Sequence, residues 1–281
     1  MWCKKKPNPI VPIVITPAKL TSLSFTINDY PGSINDLRGC NNDGLQVKET
    51  FLNSWDFAIH RYIDYQAIIP TFKSTVASGI SNLGPGGIVL VLPDSCFSGG
   101  VTRPMLELGL FDPKHPTRNR FHKTEEVFSI GEIKQLGENV RGIFPQPLRI
   151  KTFVGANDIN WIVISGCGST QFSADAYIDN AYHGAFTWYA MKTLVKGMTY
   201  REWYNEITKY LPGSGFEQAP TLEGPSRLLD KVIFADQTLV IHNSTHGTEL
   251  QGVGEIDQAI CLYDGNLRDK EYYALLQKIP V

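Results

Sequence analysis

Cysteine is scarce in this chain: five thiols in 281 residues, odd in number and widely spread as Cys3, Cys40, Cys96, Cys167 and Cys261. Without a CxxC pair there is neither a disulfide framework nor metal-finger spacing, and reduced thiols in a cytoplasmic protein are expected. Long apolar runs are also missing. The opening MWCKKKPNPIVPIV is broken by prolines and too short to span a membrane, so neither a membrane span nor a secretion signal is read there. Nor is there an excess of one charge: 26 basic against 28 acidic residues leave a net charge of -2, with no global electrostatic reason to bind nucleic acid or an anionic membrane.

The 42% hydrophobic content suffices for a sizeable core, and one α/β domain is expected. LTSLSFTI (20 to 27) and FAIHRYIDY (57 to 65) read as strands, each followed by an amphipathic helical pattern, the second being TFKSTVASGISNL (71 to 83). GIVLVL (87 to 92), WIVIS (161 to 165) and QTLVIHN (237 to 243) are continuous apolar runs of the kind found in strands covered on both faces. LDKVIF (229 to 234) is also strand-like. GAFTWYAMKTLVKG, YREWYNEITKYL and LRDKEYYALLQKI read as helices. Residues 101 to 150, rich in proline and charge, read as a long surface connection, the kind of loop that is functional or cleavable. Alternating strands and helices predict a three-layer α/β sandwich around a mostly parallel sheet of about six strands.

In such sheets chemistry collects beyond the carboxyl ends of the strands. GIVLVL delivers Asp94-Ser95-Cys96-Phe97-Ser98-Gly99-Gly100, and QTLVIHN delivers Ser244-Thr245-His246-Gly247. A thiol needs a base to become a thiolate, and imidazole is suited to that task. Flanking glycines free backbone amides to stabilise an oxyanion. The plainer alternative makes Cys96 an inert buried thiol and His246 a turn histidine, and for an isolated pair that alternative is the stronger. Cys167, in SGCGSTQ, is a rival thiol with no histidine motif assigned to it. His60, His115, His122, His183 and His242 are read as surface or structural residues.

Several segments together change that balance. INDYPGSINDLRGCNND, VLVLPDSCFSGG, SADAYIDNAYHGAFT and STHGTEL resemble motifs of the metacaspases, caspase-like cysteine proteases, and EIDQAICLYDGNLRDKEYYALLQKIP resembles the segment after the family's histidine. The resemblance implies Cys96 as nucleophile and His246 as general base, with the amides of Gly247 and Cys96 as oxyanion hole. It also implies Asp43 and Asp94, with Ser244 beside them, as the floor of a pocket for the residue before the cut. Two carboxylates suit a guanidinium and repel an acidic side chain, so cleavage after Arg or Lys in protein or peptide substrates is expected. For Asp43 the plain alternative is helix N-capping, and for Asp94 a turn aspartate. Arg118, Arg120 and Lys123 are expected sites of self-cleavage in the 101 to 150 connection.

The order of motifs departs from the family's: there the histidine precedes the cysteine, whereas here His246 stands 150 positions after Cys96. Moving residues 235 to 281 between Gly86 and Gly87 restores the order. The chain then divides into a part with the nucleophile (1 to 100), a linker (101 to 150), a small-subunit-like part (151 to 234) and a transposed histidine-bearing segment (235 to 281) of one caspase-like domain. QTLVIHN is accordingly expected in the sheet between LTSLSFTI and GIVLVL, in its own chain or swapped into a dimer partner. Of the family's calcium ligands Asp257 and Asp269 are matched, but Lys270 and Arg103 stand where carboxylates are usual, so no cofactor and no strict calcium requirement is expected. Two other readings compete: a catalytically silent caspase-like scaffold, and an α/β hydrolase or transferase using Cys96 in a loose nucleophile-elbow role, although DSCFSGG is not GxSxG.

Overall fold

The computed structural model describes residues 15–31, 36–95, 114–120, 159–168, 171–211, 216, 218–251 and 256–280. In chain order its elements begin with β1 (Leu20–Thr26), α1 (Cys40–Ser54), β2 (Phe57–Ile63), α2 (Ile69–Ser81), β3 (Ile88–Asp94) and β4 (Arg118–Asn119). They continue with β5 (Trp161–Ser165), β6 (Ala174–Ile178), β7 (Ala181–Gly184), α3 (Ala185–Thr193), α4 (Tyr200–Tyr210), β8 (Thr221–Glu223) and α5 (Ser226–Leu229). β9 (Thr238–Ser244), β10 (Gly247–Gln251), β11 (Ile256–Leu262), β12 (Gly265–Arg268) and α6 (Asp269–Leu276) complete the order.

Six strands form one sheet in the order β2-β1-β9-β3-β5-β8, parallel throughout except that β8 runs against β5. β9 lies between β1 and β3 of its own chain, although it follows both in sequence. Its run TLVI is buried at every position, as a strand flanked by neighbours and covered on both faces must be. The parallel register sets Ser244 opposite both Thr26 of β1 and Asp94 of β3. Three strand ends therefore deliver polar side chains to one edge.

Alternation along the strands divides the core into two layers. On β3, Val89 and Val91 pack with Phe72, Val76, Ile80, Tyr272 and Leu275 of α2 and α6, while Ile88, Leu90 and Leu92 pack with Phe51, Phe186, Trp203 and Ile207 of α1, α3 and α4. Each such side chain contributes roughly 1.5–3 kcal/mol by leaving water, and together they fix the helices on opposite faces of the sheet. This is a three-layer α/β sandwich. The start of α4 is set by a reciprocal cap: the Glu202 amide donates to Thr199 Oγ1 at 3.2 Å and the Thr199 amide to the Glu202 carboxylate at 2.8 Å. Trp203, fully buried, donates its indole N–H to the Ala190 carbonyl at 2.8 Å.

Two expectations fail. LDKVIF is not a strand: α5 runs into turns, and Phe234 takes a left-handed φ of 60°. Its ring is edge-on to Phe51, Trp55 and Phe57, and this aromatic cluster overrides strand propensity. Nor is the 101 to 150 connection all surface. Within it, β4 pairs antiparallel with β6, extending the β6–β7 hairpin to three strands, and leads into Arg120, which is fully buried.

Candidate functional site

The site lies beyond the carboxyl ends of β1, β9 and β3, where α1, α3 and the β6–β7 hairpin converge. Asp43 falls in the first turn of α1. It is not the N-cap, a place taken by Gly39, so its carboxylate is available elsewhere. The Gly184 amide donates to both Asp43 oxygens at 2.9 and 3.0 Å, and the Ser244 hydroxyl donates to Oδ2 at 2.7 Å. Asp94 ends β3 as a buried strand residue rather than a turn aspartate. It accepts from the Ser173 hydroxyl and, at 3.0 and 2.7 Å, from the amide and hydroxyl of Thr187 at the start of α3.

The guanidinium of Arg120 fills the space between them. Nη2 donates to Asp43 Oδ2 at 2.8 Å and to Asp175 Oδ1 at 3.1 Å; Nη1 donates to Ser244 Oγ at 2.7 Å and to the Asp94 carbonyl at 3.2 Å. Nη1 also lies 3.2 Å from the Asp94 carboxylate. All four charged side chains are 0% exposed. Burial works against the Arg120 charge, but Asp94, Asp43 and Asp175 outweigh it and hold the group well above its ordinary pKa. Burial also pushes the Asp43 carboxyl up, against the pull of Arg120. Three carboxylates surround one cation, so the site is built for positive charge.

The backbone of Arg120 is held as firmly as its side chain. Its amide donates to the Ser173 carbonyl at 2.9 Å, continuing the β4–β6 ladder, and its carbonyl oxygen accepts from the Gly247 amide at 2.8 Å. His246, adjacent to that amide, is buried in the turn from β9 to β10. The Tyr30 hydroxyl accepts from the His246 amide at 2.8 Å and donates to the Cys261 carbonyl at 3.2 Å, while the Cys261 amide donates to the His246 carbonyl at 2.9 Å. The two rings lie 5.0 Å apart. This lattice fixes the turn that carries the histidine.

Solved structures include one similar in outline, a crystal structure of protein GSU0716 from Geobacter sulfurreducens. It aligns with a TM-score of 0.52 and 16% identity, over 77% of this chain and 99% of that one. That likeness is one of fold. No family model matches the chain, and no curated protein matches it either.

Of the residues singled out from sequence, Asp43, Asp94, Ser244, Gly247 and Arg120 come together, with His246 next to Gly247. Cys96 and Lys123 lie outside the described residues; Ser95, which precedes Cys96, directly follows Asp94 at the end of β3. Cys167 is buried and directs its thiol at the Ser95 carbonyl, 3.7 Å away, beside the pocket. Arg118 points out of the acidic pocket, its guanidinium donating to the Asp36 carbonyl at 2.5 Å. Asp269 accepts from the Lys270 amide at 2.7 Å at the start of α6, and the Asp257 side chain lies outside the described residues. Among the described residues, no group of three or more His, Cys, Asp or Glu is arranged to hold a metal ion, and no helix is long and apolar enough to cross a membrane.

Asp175 was not picked out from sequence, although SADA carries a signal: a carboxylate at a position of β6 flanked by the buried Ala174 and Ala176. It accepts from the Gly39 and Arg38 amides, each at 2.9 Å, so it ties α1 to the hairpin as well as facing Arg120. His242 joins the site from behind, its ring lying between Ser24 Oγ at 2.9 Å and Thr187 Oγ1 at 3.2 Å. Burial lowers its pKa to about 4, so the ring is neutral at physiological pH.

Proposed function

We propose that this chain is a cysteine endopeptidase of metacaspase type that cuts after Arg or Lys, and that the Arg120–Phe121 bond of its own linker is a substrate. The observation that carries this reading is the pose of Arg120. Its side chain is enclosed by Asp43, Asp94, Asp175 and Ser244 while its carbonyl oxygen receives the Gly247 amide beside His246. A scissile residue needs the same two things, an anchored side chain and a donor aimed at its carbonyl oxygen.

In the proposed chemistry His246 takes the proton of the Cys96 thiol, and the thiolate attacks the Arg120 carbonyl carbon. The carbonyl electron pair moves onto oxygen, where the Gly247 N–H stabilises it. Collapse breaks the bond to the Phe121 nitrogen, which leaves as an amine with the proton from His246. One water, deprotonated by His246, then attacks the Cys96–Arg120 thioester; the thiolate leaves and takes its proton back from His246, and the new Arg120 carboxyl group releases its remaining proton to solvent to become a carboxylate.

One observation favours the alternative, a catalytically silent scaffold: Arg120 is sealed at 0% exposure, as a permanent plug would be. Intact-mass analysis after incubation separates the two. The proposal expects fragments ending at Arg120 and beginning at Phe121, with the Cys96→Ala and His246→Ala forms remaining whole. A folded wild-type preparation that never cuts after Arg120 or any other basic residue favours the scaffold.

A further inference from the structure

Upstream of Arg120 the linker meets a second feature that the pocket does not use. The imidazole of His115 lies flat on the ring of Tyr177, with centroids 3.7 Å apart and planes 8° from parallel. Tyr182 stands edge-on to Tyr177 at 5.3 Å and is 6.3 Å from His115. The tyrosines are directly opposed across the β6–β7 hairpin, whose turn residues Asp179 and Asn180 both take left-handed φ values of 50° and 68°, as a tight two-residue turn requires. Arg38 holds the second ring: its guanidinium donates to the Tyr182 hydroxyl at 2.8 Å and lies over its face at 5.0 Å.

None of those supports comes from the linker. The platform belongs to the hairpin that also carries Asp175, whereas His115 arrives with the strand that ends in Arg120. Tyr177 is 37% exposed even with His115 upon it, a large aromatic side chain at the surface on the same hairpin as Asp175 of the Arg120 pocket. The register is fixed, because β4 pairs with β6 and Arg120 is pinned at both backbone and side chain.

We infer that Tyr177 and Tyr182 form an additional substrate subsite for a flat side chain (His, Phe, Tyr or Trp) at the sixth residue back from the cut bond. This rests on the protease reading and narrows its substrates to polypeptides with a ring five residues before a basic residue. The Tyr177 face supplies stacking, and the strand pairing along β6 sets the spacing.

The test uses the self-processed protein and two peptides with a fluorogenic group after the last Arg, KHPTRNR and KAPTRNR. Stacking predicts that the His peptide has a kcat/KM roughly two- to tenfold higher, and that KFPTRNR keeps the advantage. In Tyr177→Ala the ratio of the two peptides falls to one, a readout that general loss of fold would not move, and Tyr177→Phe retains it. Equal kcat/KM for the His and Ala peptides on the wild type overturns the subsite while leaving cleavage after Arg intact. Failure to cut either peptide or the chain after Arg120 overturns the protease reading and the subsite with it.

Discussion

The Gly247 amide donates to the carbonyl oxygen of Arg120 at 2.8 Å, across 127 positions of sequence. That bond has a function only if the Arg120 side chain is seated, because seating sets where the carbonyl falls. Arg120→Gln keeps length and polarity but removes the cation, leaving Asp43, Asp94 and Asp175 without it. Cleavage at this position should slow by roughly 10⁴-fold, the scale on which buried polar sites reject a partner lacking the matching donors. Arg120→Lys, keeping the charge but not the fork, should be cut at an intermediate rate. Time courses by intact mass check both.

Asp175→Asn exchanges a charged acceptor for a neutral one at 3.1 Å from Nη2. A hydrogen bond to a charged group contributes about 1.5–3 kcal/mol, so kcat/KM for Arg peptides should fall roughly 10- to 100-fold. Lys peptides should lose as well, and a Gln peptide, already poor, should change little. A uniform fall across all three would mean that Asp175 acts only by tying α1 to the hairpin.

His242 makes stability depend on pH. Its folded pKa of about 4 lies below the ordinary 6.5, so between those values the unfolded chain binds a proton that the folded chain does not. Stability from this group is complete above pH 6.5 and is lost as pH falls toward 4, by an amount on the order of 3 kcal/mol. Urea midpoints of wild type and His242→Gln across that window should converge as the pH drops. A constant separation between the two would show that His242 does not titrate there.

Tyr30→Phe removes the acceptor of the His246 amide and the donor to the Cys261 carbonyl. Each buried backbone group that loses its partner costs about 1–3 kcal/mol. Urea unfolding should show the loss, and self-cleavage should slow because the turn bearing His246 is no longer fixed. Loss of stability with an unchanged cleavage rate would separate the tyrosine from the site.

Much of the sheet was legible because its strands are continuous apolar runs, a pattern that a strand buried on both faces imposes. Even the slot of β9 could be read, since TLVI, apolar without alternation, suits a strand covered on both faces better than an edge, and the family resemblance pairs His246 with Cys96 after β3. Asp43, Asp94 and Ser244 were singled out through the resemblance of their motifs to a known family rather than through hydrophobic pattern. The seating of Arg120 was not. β4 is two residues long, and nothing local in TRNR distinguishes Arg120 from Arg118 before the register along β6 is known. Asp175 and the Tyr177 platform were missed for a related reason: what they face is contributed by the linker, more than fifty residues earlier. LDKVIF misled because strand propensity there is overridden by packing around Phe234.

The position of β9 also sets a clock. During synthesis β1, β2, β3 and β5 leave the ribosome with the centre of their sheet vacant, and Asp43 and Asp94 wait without Ser244. The segment bearing Arg120 has been made by then but has no complete socket to enter. On the proposed reading, the Cys96–His246 pair is complete only after the last central strand has been translated, so a ribosome-bound fragment that stops short of β9 carries Cys96 and the Arg120–Phe121 bond without His246.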